Sequence, residues 1–318
     1  MEPSADRDLT SPSVFWSQLA ADHQRDLERF GLEHVKRHQA LRYFTFGWSW
    51  RYARQDPQVR FLLRHTSPRT WLACARERAE VSDSAWEGFG LPWPRRDRWL
   101  YIFIVRLLYE YARARDPLDA LRFEEPLAGD PLPVRRRGRL ISQDLCNSSL
   151  EAASMARLLG DRAPSSILEI GAGYGRLGYL LLSLYPQATY TIVDIEPALT
   201  ISRWYLSQQF SADRLRFLTP EQAEAEESGS VDLALSVSTM AEMTAAQVDG
   251  YLTLLDRVVA GGGGVYLKQL ERWENTADQI TLVAFDDYPV PARWRQVFEE
   301  QAPVQTQFRQ AGWIVPDT

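Results

Sequence analysis

The chain has 318 residues, 45% of them apolar and 25% charged, and this composition excludes a wholly disordered, collagen-like or coiled-coil protein. Lysine and arginine number 36 against 42 acidic residues, and the formal charge of −6 argues against a dedicated nucleic-acid binder. No apolar run approaches the roughly 18 residues that cross a bilayer, and 2 cysteines are too few for a disulfide framework. We therefore expect a cytoplasmic protein that binds neither nucleic acid nor membrane.

The first part of the chain shows helical patterns and no alternation of strands with helices. Its last helical segment is apolar nearly all round, which is typical of a helix buried against others. A stretch rich in proline and arginine, residues 124–138, predicts a linker or an ordered loop between domains. The predicted helices are Ser13–Phe30, Leu32–Tyr52, Pro68–Val81 and Arg96–Arg115.

Basic residues in this part carry little weight as site candidates. Only Lys36 and Lys268 are lysines, and we interpret the arginine excess as codon bias of a GC-rich bacterial genome. We therefore interpret the run Arg135–Arg137 as solvated charges in preference to a phosphate site. His34 and His38 have the spacing of metal ligands on one helix face, but no third ligand is evident, so we predict no metal site there.

From Ser165 onward, short apolar strands alternate with helices, which predicts βαβ units and a parallel sheet. Thr244 and Gln247 fit a capping box at the start of one helix, and a glycine run follows its end. The predicted strands are Ile167–Ile170, Tyr190–Asp194, Leu215–Leu218, Val231–Val237 and Gly264–Lys268. The predicted helices are Arg176–Tyr185, Pro197–Phe210 and Ala245–Val259. The fold class is thus α/β after an all-helical N-terminal domain, with residues 1–145 and 146–318 as the two domains.

The strongest motif is the segment Ile167–Arg176, in which a strand runs into a glycine turn and then a helix. Glycines let the backbone turn sharply and approach a ligand, whose anionic end can lie at the helix N-terminus. Asp194 ends the next strand, where a carboxylate can accept hydrogen bonds from ribose hydroxyls. The loop and this acid together predict a site for a nucleoside cofactor.

Two cofactor classes fit the glycines. Gly173, Gly175 and Gly178 satisfy the dinucleotide fingerprint, which by itself is weak evidence. Gly171, Gly173 and Gly175 have the spacing of methyltransferases, and Glu169 stands where those enzymes carry an acid that faces the cofactor's ammonium group. A pyrophosphate gains nothing from a nearby carboxylate, so the acid favours S-adenosylmethionine.

The segment Glu169–Arg176 resembles motif I of the class I S-adenosylmethionine-dependent methyltransferases, which have a Rossmann-like domain with a mostly parallel sheet. Further segments are similar to the bacterial sugar O-methyltransferase family, and the resemblance covers roughly residues 125–300. These segments are Tyr174–Leu177, Val193–Ile195, Ser238–Met243, Val265–Gln269 and Ile141–Leu145.

The resemblance implies a role for each part of the motif. The loop Gly171, Ala172, Gly173 and Gly175 would contact the methionine part of the cofactor, with Glu169 near its ammonium group. Asp194 would hold the ribose, and Ile195 would pack on the adenine. The loop Thr219–Gln222 would border the adenine edge. The N-terminal helices would cap the acceptor site and can also form a homodimer contact.

The resemblance predicts an O-methyltransferase of natural-product biosynthesis whose small acceptor is a sugar or a glycosylated natural product. A non-sugar hydroxyl or a carboxylate of a secondary metabolite or peptide is the alternative acceptor. An NAD(P)-dependent oxidoreductase and a non-catalytic binding partner remain as alternative classes.

Glu242 follows the tip of the fourth strand of the α/β part and is the candidate general base, with a helix N-terminal acid as its alternative role. Lys268, Tyr288 and Trp48 are candidate acceptor contacts, and each also fits a structural role. Asp286 and Asp287 could join Glu242 around Mg²⁺. We do not favour that metal, because adjacent carboxylates on a strand point to opposite faces.

Overall fold

A computed structural model describes residues 14–37, 50–78, 94–275, 280–283 and 286–317. Trp48 and His38 lie outside these residues. The chain divides into two compact units. We call residues 22–153 and 303–306 the helical unit, and residues 1–21, 154–302 and 307–318 the sheet unit.

Two helices in the first part of the chain, at Pro57–His65 and Pro68–Arg76, begin at side-chain caps. Asp56 accepts hydrogen bonds from the amides of Gln58 and Val59, and Pro57 occupies the first helical position of the next helix. This helix, Pro57–His65, is not among the predicted ones. The helices are α1 (Val14–Phe30), α2 (Pro57–His65), α3 (Pro68–Arg76), α4 (Arg95–Arg113) and α5 (Gln143–Leu159).

The predicted helix Leu32–Tyr52 is wrong in its described residues. A short 3₁₀ turn covers Leu32–Arg37, and residues 50–55 form turns. Tertiary contacts determine this path: Lys36 forms an ion pair with Glu125, and its amide donates to the carbonyl of Gly129 over 2.9 Å. The local helical pattern cannot reveal these partners, because they lie about 90 residues further along the chain.

The proline-rich stretch ends in a hairpin, so the N-terminal part of the chain is not all-helical. Strands β1 (Val134–Arg136) and β2 (Arg139–Ile141) pair antiparallel. The connecting residues Arg137 and Gly138 have φ angles of 53° and 80°. Positive φ at both positions is the requirement of the tight hairpin turn that matches strand twist.

The sheet unit contains a seven-stranded sheet in the order β10-β11-β7-β6-β3-β4-β5. The predicted parallel strands are present in it, and β11 alone runs antiparallel to both neighbours. Five of these strands lie side by side in the order β5-β4-β3-β6-β7. With β3 counted as strand 1, this is the Rossmann-like order 3-2-1-4-5. The strands are β3 (Ser166–Ile170), β4 (Thr189–Val193), β5 (Leu215–Leu218), β6 (Val231–Val237), β7 (Val259–Leu270), β10 (Arg295–Gln301) and β11 (Phe308–Ile314).

Helices cover this sheet, and the strand–helix alternation is as predicted. The helices are α6 (Arg176–Leu184), α7 (Ala198–Ser207), α8 (Pro220–Ala223) and α9 (Ala245–Val258). Thr244 caps α9 with the predicted reciprocal capping box. A separate hairpin consists of β8 (Arg272–Asn275) and β9 (Ile280–Val283). Among the described helices, none is both long and apolar enough to cross a membrane.

The glycine run after α9 belongs to a strand and not to a loop. β7 begins at Val259, directly after the helix, and extends through the run to Leu270. Packing is close at this point, because a Cβ at Gly264 would lie 3.0 Å from the side chain of Leu158. A larger residue at position 264 would therefore require the Leu158 side chain, at the end of α5, to shift.

Candidate functional site

The glycine loop lies at the carboxyl end of β3, where open α/β sheets bind their ligands. Gly171, Gly173 and Gly175 have φ angles of 72°, 58° and 91°, a region that L side chains rarely adopt. The amide of Gly171 donates to the carbonyl of Val193 over 2.9 Å, which ties the loop to the end of β4. Gly175 is the N-cap of α6 and makes no side-chain cap. The first backbone amides of α6 therefore have no side chain of their capping residue as a hydrogen-bond acceptor.

A second loop packs directly on the first. Thr239, just after β6, donates its hydroxyl to the carbonyl of Gly171 over 3.0 Å. A Cβ added at Gly171 would lie 2.1 Å from Cγ2 of Thr239. Gly171 is therefore required both by its φ angle and by this contact, and the two loops form one rigid corner of the site.

Asp194 is buried at the end of β4, against the same glycine loop. Its carboxylate accepts the amide of Ile195 over 2.9 Å, and the amides of Gly173 and Ala172 also contribute hydrogen bonds. Burial raises the pKa of Asp194 to about 7, and these backbone hydrogen bonds oppose the rise without cancelling it. The half-buried Ile195 follows it. The structure thus joins Asp194 and the loop into one site, with a carboxylate that titrates near neutrality.

Glu169 is held by a residue that sequence analysis did not single out. Tyr190, fully buried on β4, donates its hydroxyl to Oε2 of Glu169 over 2.7 Å. Gly178 lets α6 lie over this tyrosine, since a Cβ there would be 3.0 Å from the tyrosine ring. Strand alternation could have indicated Tyr190, but only the register between β3 and β4 places its ring beside this carboxylate.

The tip of β6 leads to Glu242 through a short, well-anchored segment. The amide of Ser238 donates to the carbonyl of Lys268 over 2.8 Å, and the amide of Met240 donates to Oε1 of Gln269 over 3.2 Å. Glu242 ends the 3₁₀ turn Met240–Glu242 and is 95% buried. The cap of α9 is Thr244, so Glu242 does not cap that helix.

The structure describes two of the three candidate acceptor contacts, Lys268 and Tyr288. Lys268 is buried at the register position beside Val237, with its ammonium group 5.5 Å from the centre of the Phe308 ring. Tyr288 belongs to the hydrophobic core cluster, and burial, with a smaller contribution from Asp287, raises the pKa of its hydroxyl. Trp48 stays a prediction, as its position is outside the described residues.

The acidic pair after β9 has other contacts. Asp286 and Asp287 are exposed, and Asp286 lies 3.6 Å from the guanidinium of Arg309. Within the described part of the chain, no group of three or more His, Cys, Asp or Glu residues has a geometry that would hold a metal ion. His34, one of the two spaced histidines, lies 3.0 Å from Asp130.

The run Arg135–Arg137 is not a solvated charge run throughout. Arg136 is buried and forms ion pairs with Glu77 and Glu110, both at 2.6 Å. Arg137 pairs with Glu110 at 2.9 Å. These guanidinium groups bind carboxylates of α4 and of the segment after α3, so they are not available to a phosphate.

Comparison with known proteins gave solved structures only; no family model and no curated protein sequence matches. One similar structure is the 1,6-didemethyltoxoflavin-N1-methyltransferase of Burkholderia thailandensis with bound 1,6-didemethyltoxoflavin and S-adenosylhomocysteine. It is 20% identical, with a TM-score of 0.43, over 54% of this chain and 77% of that one. The [4+2]-cyclase SpnF is 13% identical, with a TM-score of 0.45, over 58% of this chain and 86% of that one. The glycopeptide N-methyltransferase MtfA is 17% identical, with a TM-score of 0.41, over 52% and 95%. The three names describe different chemistries, and a shared fold does not imply a shared function.

Proposed function

We propose that this protein is an S-adenosylmethionine-dependent O-methyltransferase that acts on a hydroxyl of a sugar or of a glycosylated natural product. The observation that carries the proposal is the pairing of two buried carboxylates with the glycine loop. Glu169 and Asp194 end adjacent parallel strands, and the loop between β3 and α6 lies against them. A cofactor with an ammonium group and a ribose fits these two acceptors, whereas a pyrophosphate would be repelled by Glu169.

The residues divide the work of binding. Asp194 would accept the ribose hydroxyls, Glu169 would face the ammonium group, and the backbone of Gly171 and Gly173 would allow the ligand to approach closely. S-adenosylmethionine supplies, when bound, a methyl group on a sulfonium sulfur that an acceptor oxygen can displace in line. Burial of the surrounding side chains would exclude water from the reacting atoms.

An acceptor hydroxyl is a weak nucleophile while it keeps its proton. We assign the removal of that proton to Glu242, the buried carboxylate at the end of the 3₁₀ turn that follows β6. The preference for a sugar hydroxyl rests on the segments Tyr174–Leu177 and Ser238–Met243, which resemble the sugar O-methyltransferase family. A non-sugar hydroxyl or a carboxylate is the alternative acceptor.

The first experiment is calorimetric titration of the purified protein with S-adenosylhomocysteine, with NAD and NADP as comparators. We expect micromolar binding of S-adenosylhomocysteine alone, and weaker binding in Asp194→Ala. Preference for a dinucleotide would instead mean that Gly173, Gly175 and Gly178 form a dinucleotide fingerprint, and the proposal would fall.

A panel of sugars, nucleotide sugars and aglycones then identifies the acceptor by a mass gain of one methyl group. Methylation of the sugar-bearing compounds and not of the free aglycones is the expected result. Methylation of aglycone hydroxyls or carboxylates alone would favour the alternative acceptor.

Cofactor affinity should depend on pH through Asp194. Its raised pKa of about 7 means that the free protein carries a neutral carboxyl below neutrality and an ionised acceptor above it. Ribose hydroxyls donate to the ionised form, so the affinity for S-adenosylhomocysteine should fall as pH drops below about 7, roughly tenfold per pH unit. Calorimetry at pH 8 and pH 6 measures this slope. Asp194→Asn should bind more weakly at pH 8 and lose the slope, and a slope that persists in this variant would contradict the assignment.

Tyr190→Phe should weaken S-adenosylhomocysteine binding by roughly tenfold, because it removes the hydrogen bond that orients Glu169. Calorimetry measures the affinity, and thermal unfolding reports on the fold. Tyr179→Phe on α6 is the matched control, with no expected change. Equal affinities for wild type and Tyr190→Phe would show that the Tyr190 hydroxyl does not contribute to cofactor binding.

A further inference from the structure

The helical unit contains a cavity of about 550 Å³, within the size range of small-molecule sites. It is lined by the end of α3, by the residues directly after α3, and by one side of α4. It belongs wholly to the helical unit and shares no residue with the glycine loop. Its lining residues are Cys74, Ala75, Arg76, Glu77, Arg78, Arg95, Arg98, Trp99, Ile102, Phe103 and Arg106.

The charge of this cavity is strongly one-sided. Among the described residues that line it, five are arginines and Glu77 is the single acid. Glu77 is already engaged: one oxygen lies 2.6 Å from Arg136 and 3.9 Å from Arg106, and the other accepts the amide of Arg137 over 2.9 Å. Arg76 and Arg78 are exposed and form no ion pair with any carboxylate that the structure describes. The cavity therefore offers positive charge that its own acid does not neutralise.

One arginine is fixed in place and shapes the wall. Arg106 is 97% buried and donates to the carbonyls of Cys74, Glu77 and Arg78 over 3.0, 2.8 and 3.2 Å. These bonds hold the residues after α3 against α4. The backbone that carries Arg76 and Arg78 is thus positioned before any ligand arrives, which lowers the entropic cost of binding.

Two aromatic rings of α4 also line the cavity. Trp99 and Phe103, one turn apart on α4, stack with ring centroids 5.3 Å apart and an interplanar angle of 4°. Trp99 is nevertheless 44% exposed, and the exposed Trp50 lies beside it at 6.1 Å. A flat, exposed indole that lines the same cavity as Arg76 and Arg78 suits a ligand with both a planar ring and a multiply charged anion.

We propose that this cavity binds a nucleoside diphosphate group, free or as part of a nucleotide sugar. The pyrophosphate would bind Arg76 and Arg78, because guanidinium forms paired hydrogen bonds with phosphate oxygens. The base would stack on Trp99. This site is separate from the glycine loop, so the inference does not depend on the proposed methyltransferase activity.

The test is calorimetric titration of the full-length protein with UDP, uridine, pyrophosphate and UDP-glucose at low salt. We expect UDP and UDP-glucose to bind one per chain, and pyrophosphate and uridine to bind at least tenfold more weakly. Arg78→Ala and Trp99→Ala should each weaken UDP binding by roughly tenfold. Arg64→Ala, an exposed arginine on α2 outside the cavity, is the matched control and should leave the affinity unchanged.

Several results would overturn the inference. One is no UDP binding up to millimolar concentration, and another is an affinity that Arg78→Ala leaves unchanged or Arg64→Ala lowers equally. Pyrophosphate binding as tight as that of UDP would show that stacking of the base on Trp99 contributes nothing to the affinity. Loss of UDP binding in Asp194→Ala would place the nucleotide in the glycine loop instead. A free nucleotide and a nucleotide sugar are distinguished by whether UDP-glucose binds more tightly than UDP. Thermal unfolding of each variant shows whether it is folded.

Discussion

Glu242→Gln should lower kcat by about 10²–10⁴-fold, the usual contribution of a positioned general base. The affinity for S-adenosylhomocysteine should stay the same, because Glu242 lies after β6 and the cofactor acceptors lie at the ends of β3 and β4. The amide keeps the size of the side chain and removes only the proton acceptor. Steady-state kinetics with the acceptor found in the panel, together with calorimetry, measure the two effects separately.

The pH profile separates a base from a residue that merely supports the fold. Wild-type kcat should rise with pH through the ionisation of one group, and Glu242→Gln should lose that rise. Glu227→Gln, at an exposed position after α8, is the matched control and should behave as wild type. Wild-type turnover in Glu242→Gln would exclude this residue as the base. A loss of cofactor affinity in the same variant would instead indicate a structural role.

Gly171→Ala should destabilise the fold by about 3 kcal/mol and abolish measurable cofactor binding. At a φ angle of 72° any L side chain is strained, and the new Cβ would lie 2.1 to 2.5 Å from Cγ2, Oγ1 and Cβ of Thr239. Either the glycine loop or the loop after β6 must move. Since each forms part of the site, both stability and binding should suffer. Chemical denaturation and calorimetry measure the two losses.

The chain provides a control that separates strain from steric overlap. Gly160 has a φ angle of 62°, but a Cβ there would meet nothing within 4 Å. Gly160→Ala should therefore cost only the backbone strain, about 1 kcal/mol, and leave binding unchanged. The double variant Gly171→Ala/Thr239→Gly removes all three contacted atoms and should regain part of the lost stability. Equal destabilisation by Gly171→Ala and Gly160→Ala would show that the contact with Thr239 contributes nothing.

The local pattern of residues in the sequence was enough to predict the central part of the sheet unit. The alternation of apolar strands with helices predicted β3 to β7, and the capping box at Thr244 predicted the start of α9. The glycine pattern and Asp194 marked the place where the loop and the second strand meet. These features depend on residues close to one another in the chain, so their energetic preferences can be recognised without knowing the fold.

Long-range packing decided the rest. β11 inserts between β7 and β10, although the sequence of β10 is largely polar and exposed and gives little strand signal. The Tyr190 hydroxyl donates to Glu169 because the register of β3 and β4 places the two side chains together. Arg136 forms ion pairs with Glu77 and Glu110, which are 59 and 26 residues away in the chain. The sequence by itself thus determined the motif, the strands β3 to β7 and the helices α6, α7 and α9 between them. Only tertiary structure decided which charges are neutralised, because the pairing of distant groups depends on where the chain brings them together.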